Sequence, residues 1–173
     1  MLLIGQSAAG KTTTAKLLAA RLGAPHIELD ALFHGPGWTP SPTFLEDVAA
    51  ASEGDTWVAD GNYSPVLGTL LWKRADTVVW LDIPRTTTLR RAITRTAGRT
   101  LLRTHLWNGN RERLHTVLRA THPIRWTWRT FHANRAKYEA MWSQPEFAHL
   151  TKFRLRSAAE VREWQRVHCG QAS

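Results

Sequence analysis

Apolar positions along the chain fall into short runs that alternate with helix-like patterns of polar and apolar residues. The short runs predict strands at 1–4, 25–29, 56–60, 76–82 and 150–155. Three of these runs are almost wholly apolar, as expected for strands that are covered on both faces of a sheet. The pattern therefore predicts a buried, mainly parallel sheet.

The longer patterns predict helices at 11–22, 43–53, 64–73 and 86–97. Strand and helix alternate, which predicts an α/β fold with a doubly wound parallel sheet and right-handed crossovers. Residues 98–145 interrupt this alternation with a mostly helical segment rich in Arg and Trp. We expect a single domain over 1–173, with 98–145 forming an insertion that acts as a lid.

The sequence GQSAAGKT, at 5–12, fits the pattern G-x-x-x-x-G-K-[ST] between a predicted strand and a predicted helix. Glycines allow backbone N–H groups to converge on phosphate oxygens, and the helix N-terminus adds its positive end. A lysine reaches the β- and γ-phosphates, and a hydroxyl can ligate Mg²⁺. The predicted nucleotide-binding residues are Gly5, Ala8, Ala9, Gly10, Lys11, Thr12 and Thr13, and the predicted ligands are ATP and Mg²⁺.

Composition changes this picture only slightly. The chain has 23 Lys and Arg against 14 Asp and Glu, with a formal net charge of +9. Such a charge attracts polyanions without specificity, but we find no nucleic-acid recognition motif and expect no nucleic-acid partner beyond that attraction. The lone Cys169 favours a reducing, cytoplasmic location, and no apolar run predicts a membrane span. The oligomeric state stays open.

Three acidic residues close predicted strands: Asp30, Asp60 and Asp82. Since ligands of open parallel sheets bind at the carboxyl ends of the strands, these side chains are candidates to face the phosphates. The phosphate loop favours this role for Asp30 and Asp60.

Four segments of the sequence carry a resemblance to a known family, in this order: the loop at 5–12, ELDALFHGPGW, WVADGNYS and DTVVWLDIPRTTTLRRAITRTAGR. They resemble adenylate-kinase-like P-loop kinases of the DNA topology modulation protein type, which are relatives of shikimate and gluconate kinases. The resemblance implies a P-loop NTPase fold with a five-stranded parallel sheet in the nucleoside monophosphate kinase-like order 2-3-1-4-5 and a helical lid insertion. It also implies an ATP-dependent phosphotransferase with an acceptor site around Asp30. We expect the acceptor to contact Asp30, Phe33, His34, Trp38, Asn62 and Tyr63, with Asp60 orienting water on Mg²⁺.

The helix after Asp82 carries candidate catalytic arginines. Arg91 and Arg95 lie four residues apart and share a helix face. RTAGR, at 95–99, resembles the lid-entrance motif of adenylate kinases, whereas the spacing from Asp82 favours Arg91. Arg91, Arg95 and Arg99 are therefore all candidates to stabilise charge on the transferred phosphoryl group. Arg125, Arg129 and Arg135 are weaker candidates.

Three functions compete for this sequence. The first is a kinase that transfers the γ-phosphoryl group of MgATP to the hydroxyl of a small molecule, with Asp30 as base. The second is a nucleoside monophosphate kinase, and the third is a nucleic-acid-binding or regulatory ATP-binding protein. Residues 30–42 contain no Lys or Arg, and Ser64 stands where the adenylate kinase pattern has an arginine. A dianionic acceptor would lack its usual counter-charges unless Arg74 or an arginine of the lid replaces them, which favours the first function.

Overall fold

The computed structural model describes residues 1–61, 63–101 and 123–170, and contains a five-stranded sheet. The strands are β1 Leu2–Gly5, β2 His26–Glu28, β3 Val58–Asp60, β4 Thr77–Leu81 and β5 Thr151–Leu155. All neighbouring strands pair in parallel, in the order β2-β3-β1-β4-β5. This confirms the predicted fold.

Helices connect these strands. They are α1 Lys11–Leu22, α2 Leu29–Phe33, α3 Phe44–Ala51, α4 Ser64–Leu67, α5 Leu70–Arg74, α6 Arg85–Leu101, α7 Pro123–Trp142 and α8 Ala158–Cys169. The prediction of one helix over 64–73 is wrong, because Gly68 with φ 54° ends α4 and α5 begins again at Leu70. The sequence analysis also missed α2 and α8.

The core has two layers, one on each face of the sheet, because alternate residues of a strand point to opposite faces. In β1, Leu2 and Ile4 join the cluster that contains Phe44 of α3. Leu3 between them joins the other cluster, where Leu18 of α1 and Trp164 of α8 pack. Both faces are covered, which explains the apolar character of the strands.

The second half of α7 belongs to this core. Phe131, Tyr138 and Met141 are buried, and Tyr138 packs edge-to-face on Trp80 of β4. The predicted insertion over 98–145 therefore includes residues that are part of the body of the protein. The stretch 102–122, on which the lid prediction mainly falls, lies outside the described residues, as does Asn62. None of the helices in the described ranges is long and apolar enough to cross a membrane.

Candidate active site

The loop between β1 and α1 has the backbone geometry of a phosphate-binding loop. Gly5, Ala8 and Gly10 have φ angles of 146°, 61° and 105°. A Cβ atom at Gly5 would lie 2.6 Å from the carbonyl oxygen of Leu81, so this position accepts only glycine. Successive residues of alternating handedness form a concave nest of N–H groups that favours anions. The predicted loop residues thus form a continuous turn that leads into α1.

Lys11, the first residue of α1, folds back over this loop. Its Nζ donates hydrogen bonds to the carbonyl oxygens of Gly5 at 3.1 Å and Gln6 at 3.0 Å. Burial lowers the pKa of Lys11, the charges of Asp30 and Asp60 oppose this shift, and that of Arg95 adds to it. The ammonium group therefore lies within the electrostatic reach of both predicted acids and one predicted arginine.

Asp60, at the end of β3, contacts both His26 of β2 and Thr12 at the start of α1. Its Oδ2 accepts a hydrogen bond of 2.7 Å from the Thr12 hydroxyl, and its Oδ1 lies 2.7 Å from Nε2 of His26. Only 3% of Asp60 is exposed. A hydroxyl and a carboxylate side by side are the hard oxygen ligands that Mg²⁺ prefers, so Thr12 and Asp60 fit a magnesium ion. Among the described residues no three side chains of His, Cys, Asp or Glu cluster as metal ligands, so phosphates and water would supply the remaining positions.

Asp30 lies on the same edge of the sheet, but not at a strand end. β2 ends at Glu28, and Asp30 is the second residue of the short helix α2. The Tyr63 hydroxyl donates a 2.7 Å hydrogen bond to Asp30 Oδ1, and Nε2 of His34 lies 3.2 Å from the same hydroxyl. Burial and the adjacent Asp30 charge raise the pKa of Tyr63 far above its ordinary value, so Tyr63 remains a donor.

Aromatic rings continue from this group along the predicted acceptor side. Phe33 contacts Tyr63 with ring centroids 4.5 Å apart and Phe44 with centroids 5.1 Å apart. His34 packs edge-to-face against Trp38 at 5.2 Å. Trp38 is 38% exposed. Four of the six predicted acceptor contacts, together with Phe44, thus form one aromatic wall beside Asp30, which we define as Phe33, His34, Trp38, Phe44 and Tyr63.

Two of the three predicted arginines reach the phosphate loop from α6. Arg91 Nη1 donates to the carbonyl oxygen of Ala9 at 3.1 Å, and Arg95 Nη2 donates to Ser7 Oγ at 3.2 Å. The two candidates are therefore not alternatives in space, because both side chains lie against the loop. The side chain of Arg99 lies outside the described residues.

Asp82 forms salt bridges with Arg154 and Arg135 and does not bond to the described residues of the phosphate loop. Arg154 of β5 donates to Asp82 Oδ2 from Nε at 3.0 Å and from Nη2 at 2.8 Å. Arg135 of α7 donates to the same oxygen at 3.0 Å. The guanidinium of Arg154 also lies 4.0 Å from the ring centroid of Trp80. Asp82 thus joins β4 to β5 and α7.

Sequence reasoning missed two residues that support the loop. The buried Gln6 donates from Nε2 to the carbonyl oxygen of Phe131 at 2.7 Å and accepts at Oε1 from Asn134 at 3.3 Å. These bonds attach the loop to α7, 125 residues away along the chain. His26, which holds Asp60, is the other. Gln6 occupies a variable position of the loop motif, and His26 is the first residue of the ordinary strand β2, so neither had a local signal.

Comparison with solved structures finds matches that include the following two proteins. A shikimate kinase from Bacteroides thetaiotaomicron superimposes with a TM-score of 0.53 at 16% identity, covering 96% of both chains. A gluconokinase from Sinorhizobium meliloti 1021 matches with a TM-score of 0.41 at 20% identity, covering 83% of this chain and 95% of that one. No family model matches the chain, and no curated protein matches it. At 16% identity the likeness to the shikimate kinase shows a shared fold and nothing further.

Proposed function

We propose that the protein is an ATP-dependent phosphotransferase that moves the γ-phosphoryl group of MgATP to the hydroxyl of a small molecule. The observation that carries this proposal is the position of Lys11. Its ammonium group is held against the loop by hydrogen bonds to the carbonyl oxygens of Gly5 and Gln6, and the charges of Asp30 and Asp60 both act on it. Asp60 accepts a hydrogen bond from Thr12, the predicted magnesium ligand, and Asp30 lies beside the partly exposed aromatic wall.

Asp60 and Asp30 have different roles in this proposal. Thr12 and Asp60 would hold Mg²⁺, directly and through water respectively, and the ion would neutralise charge on the β- and γ-phosphates. His26 keeps the Asp60 carboxylate oriented towards Thr12. Gly5, Gly10 and the backbone between them bind the phosphate oxygens.

Asp30 acts on the acceptor. Its carboxylate accepts the proton of the acceptor hydroxyl while the hydroxyl oxygen forms a bond to the γ-phosphorus. The bond from that phosphorus to the β–γ bridging oxygen breaks, and ADP leaves. A base held within hydrogen-bond reach contributes about 10² to 10⁴ in rate. The Tyr63 hydrogen bond fixes the orientation of this carboxylate.

Arg91 and Arg95 stabilise the transferred group. Both guanidinium groups already lie on the loop, at Ala9 and Ser7. Arginines in such positions offset the negative charge that develops on the equatorial oxygens of the transferred phosphoryl group. Their contacts with the loop are therefore consistent with a catalytic role for both.

A nucleoside monophosphate kinase is the alternative on the same scaffold. Such an enzyme binds a phosphate dianion at the acceptor site and needs cations there. Residues 30–42 carry none, and Ser64 begins α4 where an arginine is expected. We therefore favour an acceptor without a phosphate group.

The test is ATP consumption in the presence of Mg²⁺ with panels of sugars, polyols, aminocyclitols, nucleosides and nucleotides. Phosphorus NMR of the reaction mixture identifies the product. We expect a phosphate monoester of a non-nucleotide alcohol and ADP. Efficient phosphorylation of AMP, CMP or UMP would replace the proposal by the nucleotide kinase alternative. ATP binding without phosphotransfer to any acceptor in the panels would refute it.

A further inference from the structure

Formal charge is divided sharply along this chain. Residues 22–72 contain seven of the fourteen acidic residues and none of the 23 lysines and arginines, although the whole chain has a net charge of +9. This segment forms β2, α2, α3, β3 and α4, which is the half of the molecule at the β2–β3 end of the sheet. This segment therefore contributes no permanent cation, and cations that contact it, such as Arg74 at Ala49 and Ser52 and Lys16 at Glu28, come from outside it.

Among the described residues of the proposed acceptor site, the acidic side chain is that of Asp30. Burial lowers the pKa of His34, which outweighs the opposing effect of Asp30, so the imidazole is neutral at pH 7. The nearby cations, Lys11 and Arg95, lie on the phosphate-loop side, where Lys11 is bonded to loop carbonyls and Arg95 to Ser7. ATP would occupy the same side and offset their charge.

The aromatic wall also favours a positively charged ligand. Phe33 and Tyr63 are only partly buried, and Trp38 is 38% exposed. The faces of aromatic rings carry negative electrostatic potential, so they attract ammonium groups and repel anions. A carboxylate beside partly exposed aromatic side chains is a combination that suits a protonated amine on a ring scaffold.

We propose that the acceptor is a hydroxyl compound that carries a protonated amine and no acidic group, of the amino sugar or aminocyclitol class. This inference rests on the proposed kinase function and narrows its substrate. An ionised carboxylate has about four lone-pair positions. Asp30 can therefore accept bonds from Tyr63 and from the reacting hydroxyl while its field holds the ammonium group. An acidic acceptor would instead lose its hydration beside Asp30 without gaining a cationic partner from residues 22–72.

The test compares compounds of different charge on two ring scaffolds. Glucosamine, glucose and glucuronate form one series, and 2-deoxystreptamine with myo-inositol forms the other. Binding is measured by calorimetry on the full chain loaded with Mg²⁺ and a non-hydrolysable ATP analogue, and turnover is measured with ATP. We expect at least one of the two amines to bind at least tenfold more tightly than its neutral partner, and glucuronate to bind more weakly than glucose.

The outcomes separate this inference from the proposed function. An amine that binds selectively but is not phosphorylated supports the charge preference and contradicts phosphotransfer. Phosphorylation of glucuronate in preference to glucosamine keeps the kinase and overturns the present inference. Failure of both amines to bind, or equal binding of amine and neutral compounds, also overturns it.

A charge substitution gives an independent check. His34→Arg places a permanent cation beside Asp30, and we expect it to weaken amine binding at least tenfold. Thr56→Arg is the matched control, because it adds the same charge to the same segment at an exposed position before the amino end of β3, on the opposite edge of the sheet. Equal effects of the two variants would contradict the proposal. If His34→Arg does not fold, as judged by its thermal transition, Trp38→Arg in the exposed turn replaces it with the same expectation.

Discussion

The ion pair of Asp82 and Arg154 allows a sharp prediction about stability. The side chains of Arg154 and Asp82 are only 16% and 4% exposed, and Arg154 donates two hydrogen bonds to the carboxylate. Arg154→Met keeps most of the apolar stem but removes both donors to Asp82, the donor to Glu139 and the guanidinium that lies over Trp80. Breaking a buried pair in this way costs roughly 3–5 kcal/mol. Arg135 still contacts the same oxygen, with 49% of its side chain exposed, and offsets part of this loss. We therefore expect a destabilisation of about 3 kcal/mol.

The measurement is chemical denaturation, in which the midpoint falls while the slope stays unchanged. Arg166→Met is the matched control, since Arg166 forms a similar two-pronged pair with Glu163 in which the side chains are 58% and 61% exposed. An exposed pair contributes about 0–1 kcal/mol, so the control should change little. Equal destabilisation of the two variants, or less than 1 kcal/mol for Arg154→Met, would refute the reasoning.

Three further predictions concern the ligands. Lys11→Ala should cost on the order of 3 kcal/mol of transition-state stabilisation, because a preorganised donor is lost. The control is Lys16→Ala, which should leave turnover unchanged because the Lys16 side chain is 63% exposed. Wild-type turnover in Lys11→Ala would contradict the catalytic role of Lys11. Because burial lowers the pKa of Lys11 below 10.5, MgATP affinity should fall as the pH rises from neutral towards that value, since the neutral amine no longer attracts phosphate. In Lys11→Arg the decrease in MgATP affinity with pH should vanish. An MgATP affinity of the wild-type protein that does not change with pH would contradict the role of the Lys11 charge. Duplex DNA should bind no more tightly than about 10⁻⁶ M at ~150 mM salt, because only nonspecific attraction is expected. Sub-micromolar binding with sequence preference, measured by fluorescence anisotropy, would favour the nucleic-acid hypothesis.

The features that sequence predicted well are those with a local physical cause. Four apolar residues followed by Gly5, and then Lys11 at a helix start, specify a strand, a loop and a helix within a few residues of one another. The alternation of strands and helices led to a parallel sheet, and the resemblance supplied its order. Trp57 and Trp80 lie in the predicted apolar strands 56–60 and 76–82, and both are buried.

The features that sequence did not predict depend on contacts between distant segments. Gln6 bonds to α7, and Asp82 bonds to Arg154, 72 residues further along the chain. Neither spacing leaves a local pattern. The same limit applies to the acceptor side, where Asp30 was expected to end a strand. The chain turns into α2 after Glu28, and it is Tyr63 from the loop after β3 that fixes the Asp30 carboxylate.

The pairing of a phosphate loop with a separate acceptor base is tested most directly by Asp30→Asn. Turnover with the identified acceptor and affinity for MgATP are measured on the same preparations, with Asp55→Asn, an exposed acid before β3, as the control. We predict that Asp30→Asn lowers turnover at least tenfold, because the amide cannot accept the hydroxyl proton, while ATP affinity stays nearly unchanged and the control behaves as wild type. Full activity of Asp30→Asn, together with efficient phosphorylation of AMP, CMP or UMP by the wild-type protein, would contradict it.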